Sequence, residues 1–264
     1  MRTISTREQL CEITAPSDLF ATYAVPAHLH QGWACGDAVA YLRQSHSGRS
    51  NVTAWGPRPD LQRLVEALLE GGELSPGLDH VTLPRDDADV LTGRVGTGQG
   101  GAWDWLATVV IPARTPAEDR LEELHDLADA AELQALADRE NPLSEGYPGT
   151  GRSERWVGVR DGGRIVACGA VHRLSSGAAH LSGILVAGSH RGQGLGRAVT
   201  AALTRDLLRV EPVVTLGMYA DNVVARSLYH SMGFTTDKRW WSCSLEDPHR
   251  RATSPAPQRE SACS

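Results

Sequence analysis

Val186-Ala-Gly-Ser-His-Arg-Gly-Gln-Gly-Leu-Gly-Arg197 places three glycines at alternate positions between an apolar run and a helical pattern. It ends an apolar run, His180-Leu-Ser-Gly-Ile-Leu-Val186, that reads as a buried strand. It then opens a helical pattern through Ala198, Val199, Ala202, Leu203 and Leu207. Strand, glycine-rich turn and helix together make an anion cradle. Glycines at 192, 194 and 196 let consecutive backbone N–H groups converge, and the helix N-terminus adds roughly half a positive charge. The expected guest is a phosphate or pyrophosphate. The spacing is neither the G-x-G-x-x-G of a dinucleotide fold nor the G-x-x-x-x-G-K-[ST] of a P-loop.

A second segment, Val214-Thr-Leu-Gly-Met-Tyr-Ala-Asp-Asn222, alternates like a strand and ends on a good helix cap. Val223 to Met232 then reads as a helix, stopped at Gly233. Asn222 and Tyr229 are two helical turns apart, about 10 Å along the axis and on one face. Arg191-x-x-Gly194-x-Gly196 resembles the acyl-CoA pyrophosphate loop of the GNAT superfamily of N-acetyltransferases. Asn222, Ala225, Tyr229, Gly233 and Phe234 match that family's N-x-x-A-x-x-x-Y-x-x-x-G-F segment, in the family's order.

The resemblance implies a GNAT fold, an α+β architecture with a mixed, mostly antiparallel sheet flanked by helices. It implies acetyl-CoA as the donor and an amine of a small molecule or peptide as acceptor, with dimers as a frequent assembly. Carried over by position, Ile184, Leu185 and Val186 offer backbone contacts to the acetyl and pantetheine portion. Arg191, Gly192, Gln193, Gly194, Leu195, Gly196 and Arg197 hold the pyrophosphate, and Asn222 faces the cofactor or caps its helix. Tyr229 matches the general acid for the departing thiolate, its bland alternative being an aromatic packed beside the cofactor. Ala179-His-Leu-Ser-Gly-Ile-Leu-Val186 resembles the strand on which arylalkylamine N-acetyltransferases carry relay histidines. That makes His180 the candidate base, against the plainer reading of a satisfied strand histidine. Ser182 departs from that pattern, and no residue of Val214–Met218 is acidic. His172, Tyr147 and Glu145 are candidate acceptor-pocket residues beside their plainer readings as a hairpin histidine and a solvated loop.

Both motifs lie after residue 180 of 264, so the surplus over one such unit is N-terminal. The sequence divides into an N-terminal α/β domain over 1–98, a transferase domain over 99–246 and a disordered tail over 247–264. The first is either a worn GNAT-like copy or an unrelated cap, and it carries neither motif. Gly96-Thr-Gly-Gln-Gly-Gly101 reads as the flexible boundary. Within the first part, strands are expected at Leu19–Ala24, Ala38–Leu42 and Val81–Leu83, and a helix at Asp60–Leu69. Beyond the boundary come a strand at Trp103–Ile111, a helix from about Ala117 to Asp138, and a polar loop from Asn141 to Arg152. Strands at Arg155–Val159, Arg164–His172, His180–Val186 and Lys238–Ser244 complete the unit. The five tryptophans at 103, 105, 156, 240 and 241 read as core or interface packing.

A net charge of −6 with no basic run disfavours nucleic acid. Five cysteines without metal-ligand spacing read as reduced thiols, and no metal is expected. No signal-peptide core and no apolar run of about 18 residues occur, which reads as a cytoplasmic protein without a membrane partner. Lys238 is the only lysine among 26 basic residues, the bias of GC-rich bacterial coding. Two further readings stand beside the enzyme: a non-catalytic CoA-binding module, and an acyltransferase using a longer acyl-CoA.

Overall fold

The computed structural model describes residues 1–44, 50–75 and 78–245, so the expected disordered tail lies outside the described residues. The N-terminal part runs β1 (Arg2–Thr3), α1 (Arg7–Cys11), α2 (Leu19–Tyr23), β2 (Gly32–Cys35), β3 (Ala38–Gln44), β4 (Ser50–Trp55), α3 (Arg58–Glu70), β5 (His80–Pro84) and β6 (Thr97–Thr108). The C-terminal part runs β7 (Glu122–Leu124), α4 (Ala130–Glu140), β8 (Ser153–Asp161), β9 (Arg164–Arg173), β10 (Ala179–Val186), α5 (Leu195–Leu207), β11 (Val214–Tyr219), α6 (Val223–His230) and β12 (Thr235–Leu245).

All twelve strands form one sheet in the order β1-β2-β3-β4-β5-β12-β6-β11-β10-β9-β8-β7. The sheet is mostly antiparallel, with two parallel pairs, β4 with β5 and β10 with β11. Both outer blocks therefore have five strands in chain order with a single parallel pair at the inner end, and in each a 13-residue helix crosses between the parallel strands. Their last strands are exchanged: β6 lies against β11, and β12 lies against β5. The two then pair with each other from Thr235 opposite Ala107 to Leu245 opposite Thr97.

In three places the structure differs from the sequence expectation. Gly96–Gly101 is no free linker, because residues from Thr97 onward are strand paired to β12. Gly100 is explained by close approach, since a Cβ there would lie 2.8 Å from the Ser242 carbonyl oxygen and 3.1 Å from the Trp241 ring. Leu19–Tyr23 is a helix rather than a strand, because the Asp18 side chain accepts from the Ala21 N–H at 2.8 Å and caps it. The long helix from Ala117 is broken up. A 3-10 turn at Pro116–Arg120 starts on a Thr115/Glu118 capping box, β7 follows, and helix resumes only at Ala130.

Three apolar clusters hold the layers together. One lies under α4 and α5, with Leu133, Leu136, Val199, Leu203 and Trp156. A second lies under α3, where Leu61, Leu64, Val65 and Leu68 form a buried stripe and meet Cys243 and Leu245 of β12. The third joins the halves: Phe20 meets Trp55, Trp105 and Trp240 at ring-centroid distances of 5.6, 5.4 and 5.0 Å. Edge-to-face contacts of this kind contribute about 0.5–1.5 kcal/mol each beyond area burial. Trp105 and Trp240 are thus core, as the packing reading expects. A charged strut runs alongside. Asp104 on β6, whose side chain is 2% exposed, pairs with Arg85 after β5 and, at 2.9 Å, with Arg226 on α6.

Candidate functional site

The parallel register between β10 and β11 covers only His180–Thr215 and Leu181–Leu216. Beyond it the two strands part. On its other edge β10 slips register against β9 between Ser182 and Leu185, and Gly183 there has φ 58°. An isolated glycine within a strand pattern signals such a bulge, and Gly183 is the site residue that this signal could have revealed. The bulge has a second use. A Cβ at Gly183 would lie 3.1 Å from Gly146 Cα, and one at Gly146 would lie 2.7 Å from the Trp156 ring, so the loop at 141–152 sits directly on the strand there. Ile184, Leu185 and Val186 border the parting, with their β9-side edge closed by pairing to Cys168 and Ala167.

The cradle lies at the far end of β10. Gly192 and Gly194 have φ 77° and 76°, the left-handed region where L side chains are strained, and nothing lies within 4 Å of a Cβ at either. Gly194 caps α5 without any side-chain hydrogen bond, so the first-turn N–H groups of Leu195, Gly196 and Arg197 face outward as an anion site. Gly196 is already inside the helix, where a Cβ would make ordinary contact with Val186 and Leu228 at 3.5 and 3.7 Å.

Glu140, at the end of α4, braces this loop: it accepts from the Gly188 N–H at 3.1 Å and from Arg191 at 2.8 Å. These contacts, the Gly188 hydrogen bond first, hold its carboxyl below the usual range. Arg191 is thus tied to a carboxylate, Arg197 donates to Ser231 Oγ at 2.5 Å, and Gln193 accepts from Arg120 at 3.4 Å. Backbone donors, more than these side chains, supply the anion site. Sequence reading missed Glu140, because its contacts cross 48 and 51 positions of chain.

At the near end of β10, the Thr215 hydroxyl donates its one proton to the Ala179 carbonyl at 2.9 Å. Toward His180 Nδ1, 2.8 Å away, the same oxygen therefore accepts. His180 then carries its proton on Nδ1 and its lone pair on Nε2, the nitrogen near Gly217. His172 is the register partner of His180 on β9, with ring centroids 4.9 Å apart and its Nδ1 3.0 Å from Ser182 Oγ. Ser182, where the arylalkylamine pattern has a histidine, thus bonds one that arrives from the neighbouring strand.

Asn222 caps α6 by accepting from the Ala225 N–H at 3.0 Å, as its position implies. Tyr229, two turns on, is 7% exposed in the core beside Phe234, with ring centroids 5.9 Å apart. Burial pushes its phenol up to about 12. Leu228 beside it approaches Gly196, so α6 borders the cradle. At the opposite rim, the exposed Tyr219 donates to the Leu143 carbonyl at 3.3 Å, tying the loop at 141–152 to the end of β11. Among the described residues no helix is long and apolar enough to cross a membrane.

Residues 121–234 match the sequence model of the acetyltransferase (GNAT) family. No curated protein matches the chain. An acetyltransferase of the GNAT family from Colwellia psychrerythraea shares the fold over 93% of this chain and 99% of its own, at 14% identity and a TM-score of 0.54. A GCN5-related N-acetyltransferase from Kribbella flavida does so over 84% and 91%, at 16% identity and a TM-score of 0.54. A Drosophila protein covers 81% and 78%, at 18% identity and a TM-score of 0.58. The splayed parallel strands, the glycine cradle and the sequence match agree: residues 121–234 are an acetyltransferase domain of the GNAT family, which uses acetyl-CoA.

Proposed function

We propose that this chain is an acetyl-CoA-dependent N-acetyltransferase that passes the acetyl group directly to a primary amine. The observation that supports this most is the parting of β10 from β11 in front of an uncapped, glycine-built helix N-terminus. The cradle holds the pyrophosphate by backbone N–H groups, and the pantetheine arm lies in the parting along Ile184, Leu185 and Val186. This delivers the thioester toward His180 and Thr215.

An alkylammonium of pKa about 10 cannot attack until it loses a proton. His180 Nε2 takes that proton, and the lone pair on nitrogen adds to the thioester carbon. The C–S bond breaks as the thiolate receives a proton from Tyr229, and the second proton of the attacking nitrogen returns to the phenolate. With its phenol near 12, Tyr229 is fully protonated at neutral pH, and a step to a thiol of pKa about 8.5 is uphill. Protonation therefore accompanies C–S cleavage instead of preceding it.

Thiol release measured with a panel of primary amines tests the reading. Turnover with acetyl-CoA supports it. Tight acetyl-CoA binding without turnover of any amine makes the chain a CoA-binding module, and faster turnover with longer acyl-CoAs makes it a different acyltransferase.

A further inference from the structure

The loop at 141–152 roofs a cleft whose lining includes Glu145, Tyr147, Arg152, His172 and Arg173. His172 is in ring contact with His180, so this cleft ends one imidazole from the base assigned above. The two arginines are in different states. Arg173 is occupied by Glu154 at 3.0 Å and Glu211 at 2.5 Å. Arg152 pairs with no carboxylate among the described residues, and its guanidinium carbon lies 4.9 Å from the centre of the Tyr147 ring.

Tyr147 is held for this contact against its own backbone preference. Its φ of 46° is the only positive value of a non-glycine residue among those described. A side chain there costs about 1–2 kcal/mol relative to ordinary backbone, so the surrounding contacts must impose it. Thr150 Oγ1 donates to the Tyr147 carbonyl at 2.7 Å. Asp126 accepts from the Gly149 and Gly151 N–H groups at 3.1 and 2.9 Å and from the Trp156 indole at 2.9 Å. A strained, tightly bonded loop thus presents an aromatic platform, and the platform carries a cation that pairs with no carboxylate among the described residues.

We propose that Arg152, stacked on Tyr147, selects an acceptor that bears a carboxylate as well as its amine, an amino-acid-like zwitterion. The ring contact spends none of the guanidinium's N–H donors, so a fork of them remains to grip both carboxylate oxygens. Glu145, which also pairs with no cation among the described residues, supplies the opposite charge on the same cleft and draws in the ammonium end. It also disfavours a dianionic phosphate in place of the carboxylate. This assignment rests on the N-acetyltransferase reading.

The test compares kcat/KM for a set of L-amino acids, their carboxamides and the corresponding decarboxylated amines, in the wild type and in Arg152→Met, Arg152→Lys and Tyr147→Ala. A charge-assisted contact of this kind predicts a preference for the free acid of about 10- to 100-fold. Arg152→Met brings that ratio near one, Arg152→Lys restores part of it, and Tyr147→Ala falls between. Unchanged thermal melting of the arginine variants, whose side chain is exposed, separates this from misfolding. Equal use of acids, amides and amines by the wild type overturns the proposal, as does a preference that survives Arg152→Met. Absence of turnover with every amine, beside intact acetyl-CoA binding, breaks the transferase reading itself.

Discussion

The two halves of the sheet repeat one plan and differ most where the fourth strand hands over to the crossing helix. In the C-terminal half, β10 bulges at Gly183, parts from β11 and enters α5 through left-handed glycines, leaving the first turn uncapped and open. In the N-terminal half, β4 ends on the buried Trp55 and enters α3 through Gly56-Pro57-Arg58-Pro59. Prolines there delete the N–H groups that an anion would need. Trp55 packs on Phe20 and Trp240 and donates to Asp18 at 2.9 Å, so β4 ends in packed core. Apolar packing maintains the same strand order in both halves, and only the C-terminal one has an open, glycine-built helix start.

Substitutions at the two halves should differ in effect by orders of magnitude. Tyr229→Phe should lower kcat by roughly 100-fold or more if the phenol is the acid, with KM for acetyl-CoA little changed. An unchanged kcat removes the role. The pH dependence follows from burial: the phenol titrates near 10 when unfolded and about 12 when folded. Its stabilising contribution is therefore complete below pH 10 and is lost as pH rises toward 12. No alkaline limb in kcat below about pH 10 should belong to Tyr229.

His180→Gln should lower kcat/KM by about 10- to 100-fold, whereas an unchanged value assigns the base elsewhere. Asp104→Asn tests the strut between the halves. It leaves Arg85 and Arg226 without their shared carboxylate, at a cost of about 2–3 kcal/mol. A fall in Tm of about 4–10 °C is expected, and a fall under 2 °C would show that β6 and β12 hold the halves without it. The smallest effect is expected at Arg58, whose exposed guanidinium meets Asp87 and Asp89 at the start of α3. Arg58→Ala should leave acetyl-CoA affinity within about twofold, because that helix start carries no cofactor.

Much of the C-terminal half was legible in the sequence, because its signals are local. The strand at His180–Val186, the turn, the Asn222 cap and the Gly233 stop each depend on neighbours a few residues away. The exchange of β6 and β12 was not legible. It pairs residues more than 125 positions apart, and Gly96–Gly101 has the composition of a linker until Trp241 is packed against it. Leu19–Tyr23 misled for a different reason: its β-like apolar run hides a helix that Asp18 starts and Asp237, from the far end of the chain, secures by accepting from the Leu19 and Phe20 N–H groups. At the site, Tyr229, His180 and the cradle follow from motif positions. Arg152, Glu140 and Thr215 act through contacts that only the fold creates.

Calorimetric titration of the full chain with acetyl-CoA distinguishes a C-terminal half that binds from an N-terminal half that does not. One site per chain is predicted in the wild type. In Gly194→Val, which forces a β-branched side chain into φ 76° where the cradle must curl, affinity should fall about 100-fold with melting otherwise preserved. Two sites per chain, or undiminished affinity in a folded Gly194→Val protein, would contradict the account.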